Sequence, residues 1–215
     1  MTGRPPSIVA RVQPTRAGER VQERGDRTRM AIVEETVRCV LEEGFAAASA
    51  KHIAERAGVS WGVIQYHFGD RNGLLADVVA YGYENFRLAI EAVSATESDS
   101  HLRVASVVDA AWDAFSAPES LASLEILIAT RSSRDSGQTT ELEEMASDMR
   151  RLGAVLVGDG QGNQSLSRVI GEVMWAALRG LVFAQMVTRQ PLDSSEERSI
   201  LIDMIRSYLS HAGAS

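Results

Sequence analysis

Apolar residues return along this chain at the three- and four-residue spacing of helices, and glycine-rich or polar breaks separate the stretches. Met30, Val33, Val37, Val40 and Leu41 share one face of a helix that begins near Thr28. Gly44 ends it, because glycine accepts the left-handed conformation that follows a helix. Ser49 then stands as an N-cap for a short helix from Ala50 to Ala57, and Ser60 as the cap of a second from Trp61 to about His67. Ala57-Gly58-Val59 is the tight turn between them, and Phe68-Gly69-Asp70 is the next break.

The later pattern is also helical. Leu75, Val78, Val79, Phe86, Ala89, Ile90 and Val93 stripe a long helix. Ala105, Val108, Trp112 and Phe115 stripe the next, which stops before Pro118, and Leu121, Leu124, Leu127 and Ile128 mark another. A weaker helix is expected over 138–157, then a glycine loop over 158–163. A helix from Ser165 to about Thr188 is apolar on most sides, and the last runs from about Asp193 to Ala212. No convincing β-alternation interrupts this series, so about nine helices and an all-α fold are predicted. Residues 1–26, rich in Arg, Pro and Gly and without an apolar period, predict a flexible arm.

Two short helices joined by a glycine turn and braced by a longer first helix form the helix-turn-helix plan. Ile53, Ala54 and Ala57 are small or apolar enough for close packing, Val59 plugs the junction, and Ile64 and Phe68 face inward. Trp61, Gly62, Gln65 and Tyr66 are then left on the outer face of the third helix, free to enter a major groove.

The run Gly44-Phe45, Ser49, Ile53-Ala54-Glu55-Arg56-Ala57-Gly58-Val59-Ser60, Trp61-Gly62-Val63-Ile64-Gln65-Tyr66-His67-Phe68-Gly69-Asp70-Arg71 and Leu74-Leu75 resembles the TetR (tetracycline-repressor) family over roughly residues 28–80. The resemblance implies a DNA contact from Lys51, base-edge contacts from Trp61, Gly62 and Gln65 with Val63 beside them, and phosphate contacts from Tyr66, His67 and Arg71. Ser49 and Ser60 match capping positions that also reach the DNA backbone. Trp61 stands where the family often has Lys or a polar residue, Val63 where it often has Thr, and Gln65 where it often has Tyr. The resemblance implies an arm at 1–26, a helix-turn-helix unit at 27–73 and a helical ligand-sensing and dimerisation unit at 74–212.

Each side chain has its own chemistry for the task. Gln65 can pair with adenine N6 and N7, and a good bidentate contact is worth about 1–3 kcal/mol of discrimination. For Trp61 two readings stand: contact with a thymine methyl or sugar, or folding over onto the second helix. Tyr66 and His67 can donate to phosphate oxygens. Lys51 and Arg71 flank the reading helix as backbone anchors. The arginine arm either enters a neighbouring minor groove or is a solvated tail.

Charge distribution supports a DNA reader joined to a different body. Residues 1–71 hold 11 basic and 9 acidic side chains, the remainder 11 and 20, for a net charge of −7. Cys39 is the single cysteine, so an internal disulfide or thiolate cluster is excluded. His52, His67, His101 and His211 are scattered without metal-ligand spacing. Gly158-x-Gly160-x-Gly162 lacks the strand, Lys and Ser/Thr of a phosphate loop, and no nucleophile elbow is present. A non-enzymatic protein without cofactor or metal is expected. No contiguous apolar run approaches the roughly 18 residues of a membrane span, and the N-terminus does not read as a secretory signal. A cytoplasmic protein without membrane contact follows.

In the body, Ile170, Met174, Ala177, Leu178 and Leu181, with Leu201, Met204, Ile205 and Tyr208 of the last helix, are the expected two-fold interface of a homodimer. Phe86, Trp112, Phe115, Leu127, Met149, Trp175 and Phe183 are the candidate walls of a pocket for a small, partly apolar ligand. The function expected is a regulator of transcription, a repressor released from a palindromic double-stranded operator by that ligand. An activator, or a helical protein-binding adaptor, is the alternative.

Overall fold

The computed structural model describes residues 16–94, 100–134, 142–143, 145–147, 149–150, 164–188 and 193–212. Eight helices lie among them: α1 (Arg16–Glu43), α2 (Ala50–Arg56), α3 (Trp61–Phe68), α4 (Arg71–Ser94), α5 (Ser100–Ser116), α6 (Pro118–Thr130), α7 (Gln164–Thr188) and α8 (Ser195–Ala212). The described residues between 142 and 150 are helical as well, where the weaker helix is expected. The fold is all-α. The glycine loop at 158–163 lies outside the described residues, as do residues 1–15.

The first helix begins at Arg16, well before Thr28, so the expected flexible arm is helical from 16 to 26. Arg, Glu and Gln in this stretch are good helix formers. Thr28 Oγ1 donates to the Arg24 carbonyl at 2.9 Å, and Arg27 Nε to the Glu23 carbonyl at 3.3 Å. Apolar periodicity marks only where a helix meets a core, so this polar extension left no such signal. Met30 and Leu41, expected on the buried face, are each 40% exposed; Ile32, Val33, Thr36, Val37, Cys39 and Val40 form the buried stripe instead.

Two apolar clusters build the interior. The first joins α1, α2 and α3 to Leu74, Leu75, Val78 and Val79 of α4 and to Ala122 and Ile126 of α6. The second joins Phe86 and Ile90 of α4 to α5, α7 and α8. A division at residue 73/74 therefore cuts through one cluster, and α4 runs through both. Where α4 crosses α6, a Cβ on Gly82 would stand 2.8 Å from the Glu119 carbonyl oxygen, a separation that only glycine permits. Ser123 is buried in the same crossing, and its Oγ donates to the Glu119 carbonyl at 2.6 Å.

Among the helices of 18 residues or more, α7 is the most apolar. Residues Arg168–Thr188 have a mean hydropathy of 1.3, long and apolar enough to cross a membrane by length and composition. This corrects the expectation drawn from contiguous runs, because isolated polar residues break a run without making the whole segment polar. In the structure α7 packs on α5 and α8, with Met174, Trp175, Leu178 and Val182 buried.

Arg56 staples α2 to α1. Its guanidinium donates to Glu35 at 2.6 Å, to Glu42 at 2.7 Å and to Glu43. Burial pushes the Glu35 carboxyl up, but Arg38 and Arg56 outweigh it and hold the group below its ordinary value of 4.5. The hydrogen bond from Arg56, with His52 behind it, holds Glu43 below the same value. Both folded-state values are depressed, so the stabilisation is present above about pH 4.5 and is lost as pH falls below it. Arg56→Ala should lower Tm at neutral pH on the order of 5 °C. In thermal scans across pH, that difference from the parent should narrow below about pH 4.5.

Candidate nucleic-acid interface and ligand cavity

The helix-turn-helix is assembled from local chemistry. Ser49 Oγ accepts from the His52 backbone N–H at 3.2 Å and caps α2. Gly58, at φ +66°, turns the chain, and the Val59 N–H returns to the Ala54 carbonyl at 2.9 Å. Ile53 and Ile64 are fully buried and lock α2 and α3 against α1. Ser60 occupies the N-cap of α3, but its hydroxyl makes no capping bond. The expectation of a side-chain cap there is corrected: the backbone enters the helix through the Val63 N–H to Ser60 carbonyl bond at 3.0 Å.

With Ile64 buried, the opposite side of α3 faces outward. Trp61 is 46% and Tyr66 84% exposed, and Gly62 and Gln65 are exposed beside them. Val63 and His67 are half-buried at the margins. The Tyr66 and His67 rings meet edge to face with centroids 5.0 Å apart. The half-exposed Trp61 is consistent with either of its two readings. Lys51 is 87% exposed on α2, with only a 3.9 Å pairing to Glu55, too long and too solvated to hold it.

Arg71, half-buried at the start of α4, has partners within the chain. Its Nε donates to the Ala48 carbonyl at 2.6 Å and its Nη2 to the Phe45 carbonyl at 3.0 Å, while the guanidinium lies 4.5 Å from the Phe45 ring centroid. The side chain braces the α1–α2 turn with two of its five donors, and the Phe45 carbonyl also accepts the Ala48 N–H at 3.2 Å. From the other side, Glu125 of α6 accepts the Phe45 N–H at 2.7 Å. This role of Glu125 has no local signal, because its partner is 80 residues away. The N-terminal extension of α1 also runs beside the end of α3, where a Cβ on Gly25 would lie 3.9 Å from His67 Cε1. Arg24 and Arg27 are exposed on this extension.

Cys39, Glu43 and His52 have ligand atoms within 4.8 Å of one another, a grouping that linear spacing does not reveal. Arg56 bonds the same Glu43 carboxylate, and burial pushes the buried Cys39 thiol up, away from the thiolate. The group works as part of the α1–α2 brace.

In the body, Phe86, Phe115, Leu127 and Met149 line a cavity of about 330 Å³. Three other predicted walls are corrected. Trp112 is turned toward α8, with Arg198 5.2 Å from its ring centroid. Trp175 is buried behind the cavity, stacked edgewise on Phe86 and Phe115, and its Nε1 donates to the Met149 carbonyl at 2.9 Å. Phe183 points outward and is 52% exposed.

The expected dimer face is likewise redrawn. Ile170, Met174, Leu178, Leu201 and Ile205 are buried in the chain's own core. Ala177 and Leu181 are half-buried, and Met204 and Tyr208 are exposed as expected. A helix apolar on most sides gives its stripe no direction, so periodicity alone selects the wrong face. The outward face of α7 carries Val169, Val173, Ala176, Gly180, Phe183 and Val187 at alternating steps of four and three, the period of a helix-pairing seam. Ile200, Met204 and Tyr208 of α8 are exposed apolar residues too.

Residues 32–78 match the family model for bacterial regulatory proteins, tetR family. The HTH-type transcriptional regulator BetI of Pectobacterium carotovorum subsp. carotovorum (strain PC1) is 34% identical over 87 residues, which are 40% of this chain and 45% of that protein. The chain thus spans under half the length of that relative. Among solved structures, a TetR transcription regulator from Haloarcula marismortui ATCC 43049 superposes with a TM-score of 0.68 at 16% identity, over 88% of this chain and 98% of that one. The TetR family transcriptional regulator PfmR from Thermus thermophilus gives 0.64 at 16% identity, over 81% and 92%. The structural likeness covers the helical body as well as the head, and at these identities it shows the fold.

If Arg71 is a brace, Arg71→Ala should destabilise the protein by about 2–3 kcal/mol, since it leaves two carbonyls without their charged donor. Chemical denaturation measures this; an unchanged midpoint would return Arg71 to the surface role.

Proposed function

We infer that this chain, which belongs to the tetR family of bacterial regulatory proteins through its DNA-binding domain, is a homodimeric repressor released from a palindromic operator by a small molecule. The observation that carries the reading is the outer face of α3, where Trp61, Gly62, Gln65 and Tyr66 stand exposed on a helix anchored from behind by a fully buried Ile64. Among the described residues, nothing in the chain's own packing accounts for an 84% exposed Tyr66 beside Trp61 and an exposed Gln65; insertion into a major groove does.

On this reading residues 27–73 are the DNA-reading unit and 74–212 the sensing and dimerising body, in a cytoplasmic protein that performs no catalysis. Gln65 and Trp61 face base edges, with Gly62 and Val63 allowing close approach. Lys51, Tyr66, His67 and the Ser49 and Ser60 hydroxyls face phosphates. Arg24 and Arg27, carried beside α3 by the extension of α1, join Arg71 as backbone anchors. The two copies pair through the outward faces of α7 and α8, which sets the two reading helices about 34–36 Å apart on one face of the duplex. Ligand in the body cavity favours a conformation in which α4 and α6 shift, and the reading heads leave that spacing.

Selection of duplexes from a random pool tests the reading as a whole: a palindromic consensus supports it, and no enriched sequence rejects it. On the selected site, Gln65→Ala should cost about 1–3 kcal/mol and relax preference at one base pair per half-site. Lys51→Ala should weaken binding to all sequences alike and flatten the slope of log K against log salt by about 0.9 for each phosphate no longer neutralised. Val173→Glu, on the open face of α7, should give a folded monomer by sedimentation with weakened operator binding; a stable dimer would place the interface elsewhere.

A further inference from the structure

The body cavity carries two guanidinium groups and, among its described lining residues, no carboxylate. Arg134, just beyond α6, donates from Nη2 to the Leu127 carbonyl, and its Nε is buried without a partner. Arg179 of α7 donates from Nε to the Trp175 carbonyl at 3.1 Å. The walls around them are mostly apolar, among them Val79, Phe86, Phe115, Leu127, Met145 and Met149. A planar guanidinium offers five donors, so both arginines have donors beyond these bonds. Arg134 is half-buried and Arg179 exposed; among the described lining residues no carboxylate answers either, and a buried donor without a partner, as at Arg134 Nε, is costly. The chain as a whole carries a net charge of −7, whereas the charged side chains among the described lining residues are both arginines.

We propose that the cavity takes an amphipathic organic anion, with a carboxylate or phosphate head held by Arg134 and Arg179 and an apolar body laid against Phe86, Phe115 and Met149. The proposal rests on the reading of this cavity as the sensing site. The volume of about 330 Å³ lies at the small end of ligand sites, about 300–1,000 Å³, and guanidinium forks suit these planar or tetrahedral oxyanions. Arg134 is also a wall of a second cavity, about 200 Å³, whose other walls include Asn72, Leu75 and Ala76 in the first turns of α4. An anion that draws Arg134 into the larger cavity therefore removes a wall from the space beside the first turns of α4. The charged head of the ligand then acts at the first turns of α4, while its apolar body lies further along the same helix at Phe86.

Four probes with one tail test this: decanoate, decyl phosphate, decanol and decyltrimethylammonium, titrated calorimetrically into the full chain below their micelle concentrations. At least one anion should bind about tenfold or more tightly than decanol, and the cation more weakly than either; which anion is tighter identifies the head. Arg134→Met should lower anion affinity about tenfold while decanol changes by less than about twofold. Arg134→Lys should recover part of it, because the charge returns without the fork. Arg179→Met gives an independent second variant should the first fail to fold. Decanol binding as tightly as both anions, no binding of either anion, or both methionine variants keeping the anion preference would each overturn the proposal. Operator affinity is measured beside each titration. An anion that binds yet leaves operator affinity unchanged rejects the sensing reading and keeps the ligand class; operator binding without anion binding does the reverse.

Discussion

The structure depends on the contact that α6 makes with α1 and α4 together. Ala122 and Ile126 close the apolar cluster under the helix-turn-helix, and Glu125, between them, accepts the Phe45 N–H of the α1–α2 turn. Arg71 grips the carbonyls of the same turn from α4. The turn that orients α2 and α3 is thus held by one residue from each of two body helices. A free-standing head would leave Ala122 and Ile126 out of its core and this turn without its acidic partner.

This shared core gives the body a physical route to the reading helix. At Gly82 the α4 and α6 backbones approach too closely for a side chain, and Ser123 bonds across the crossing to the Val78 carbonyl at 3.1 Å. Close-packed surfaces of this kind do not deform gradually; they move as units between alternative packings. The cavity wall shared by α4, α6 and α7 thus includes elements that the head is built upon, which is the route the proposed ligand response would take. The differential affinity of a ligand for two such packings sets how strongly the head responds.

The DNA-reading elements were legible because their chemistry is local. Ser49, Gly58 and Ser60 punctuate short helices, and Ile53, Ala54 and Ile64 mark the inner face within a few positions of one another. The extension of α1 was invisible to apolar periodicity because it has no apolar stripe to report. The buried face of α7 was unreadable for the opposite reason: apolar residues on nearly every side leave no direction. Arg71 and Glu125 owe their roles to partners 26 and 80 residues away, and such pairings exist only once the chain has folded. Residue type pointed to Phe86, Phe115, Leu127 and Met149, which line the cavity, but could not show that Trp112 faces α8 or that Trp175 stands behind the wall. Arg134 is illegible for the same reason, since along the chain it looks like one more surface charge.

The open seam on α7 has a consequence for how the protein behaves at different abundances. Val173, Phe183 and Val187 are more than half exposed in the single chain, and on the proposed pairing a second copy covers their apolar surface. Burial of that surface is a bimolecular event, so its contribution grows with concentration. Where copies are scarce enough for pairs to separate, occupancy of a two-fold DNA site rises with the square of the protein's concentration. A modest change in synthesis or turnover of the chain then becomes a steeper change at the gene it occupies. In that regime the apolar seam sets a threshold for occupancy before any ligand is present.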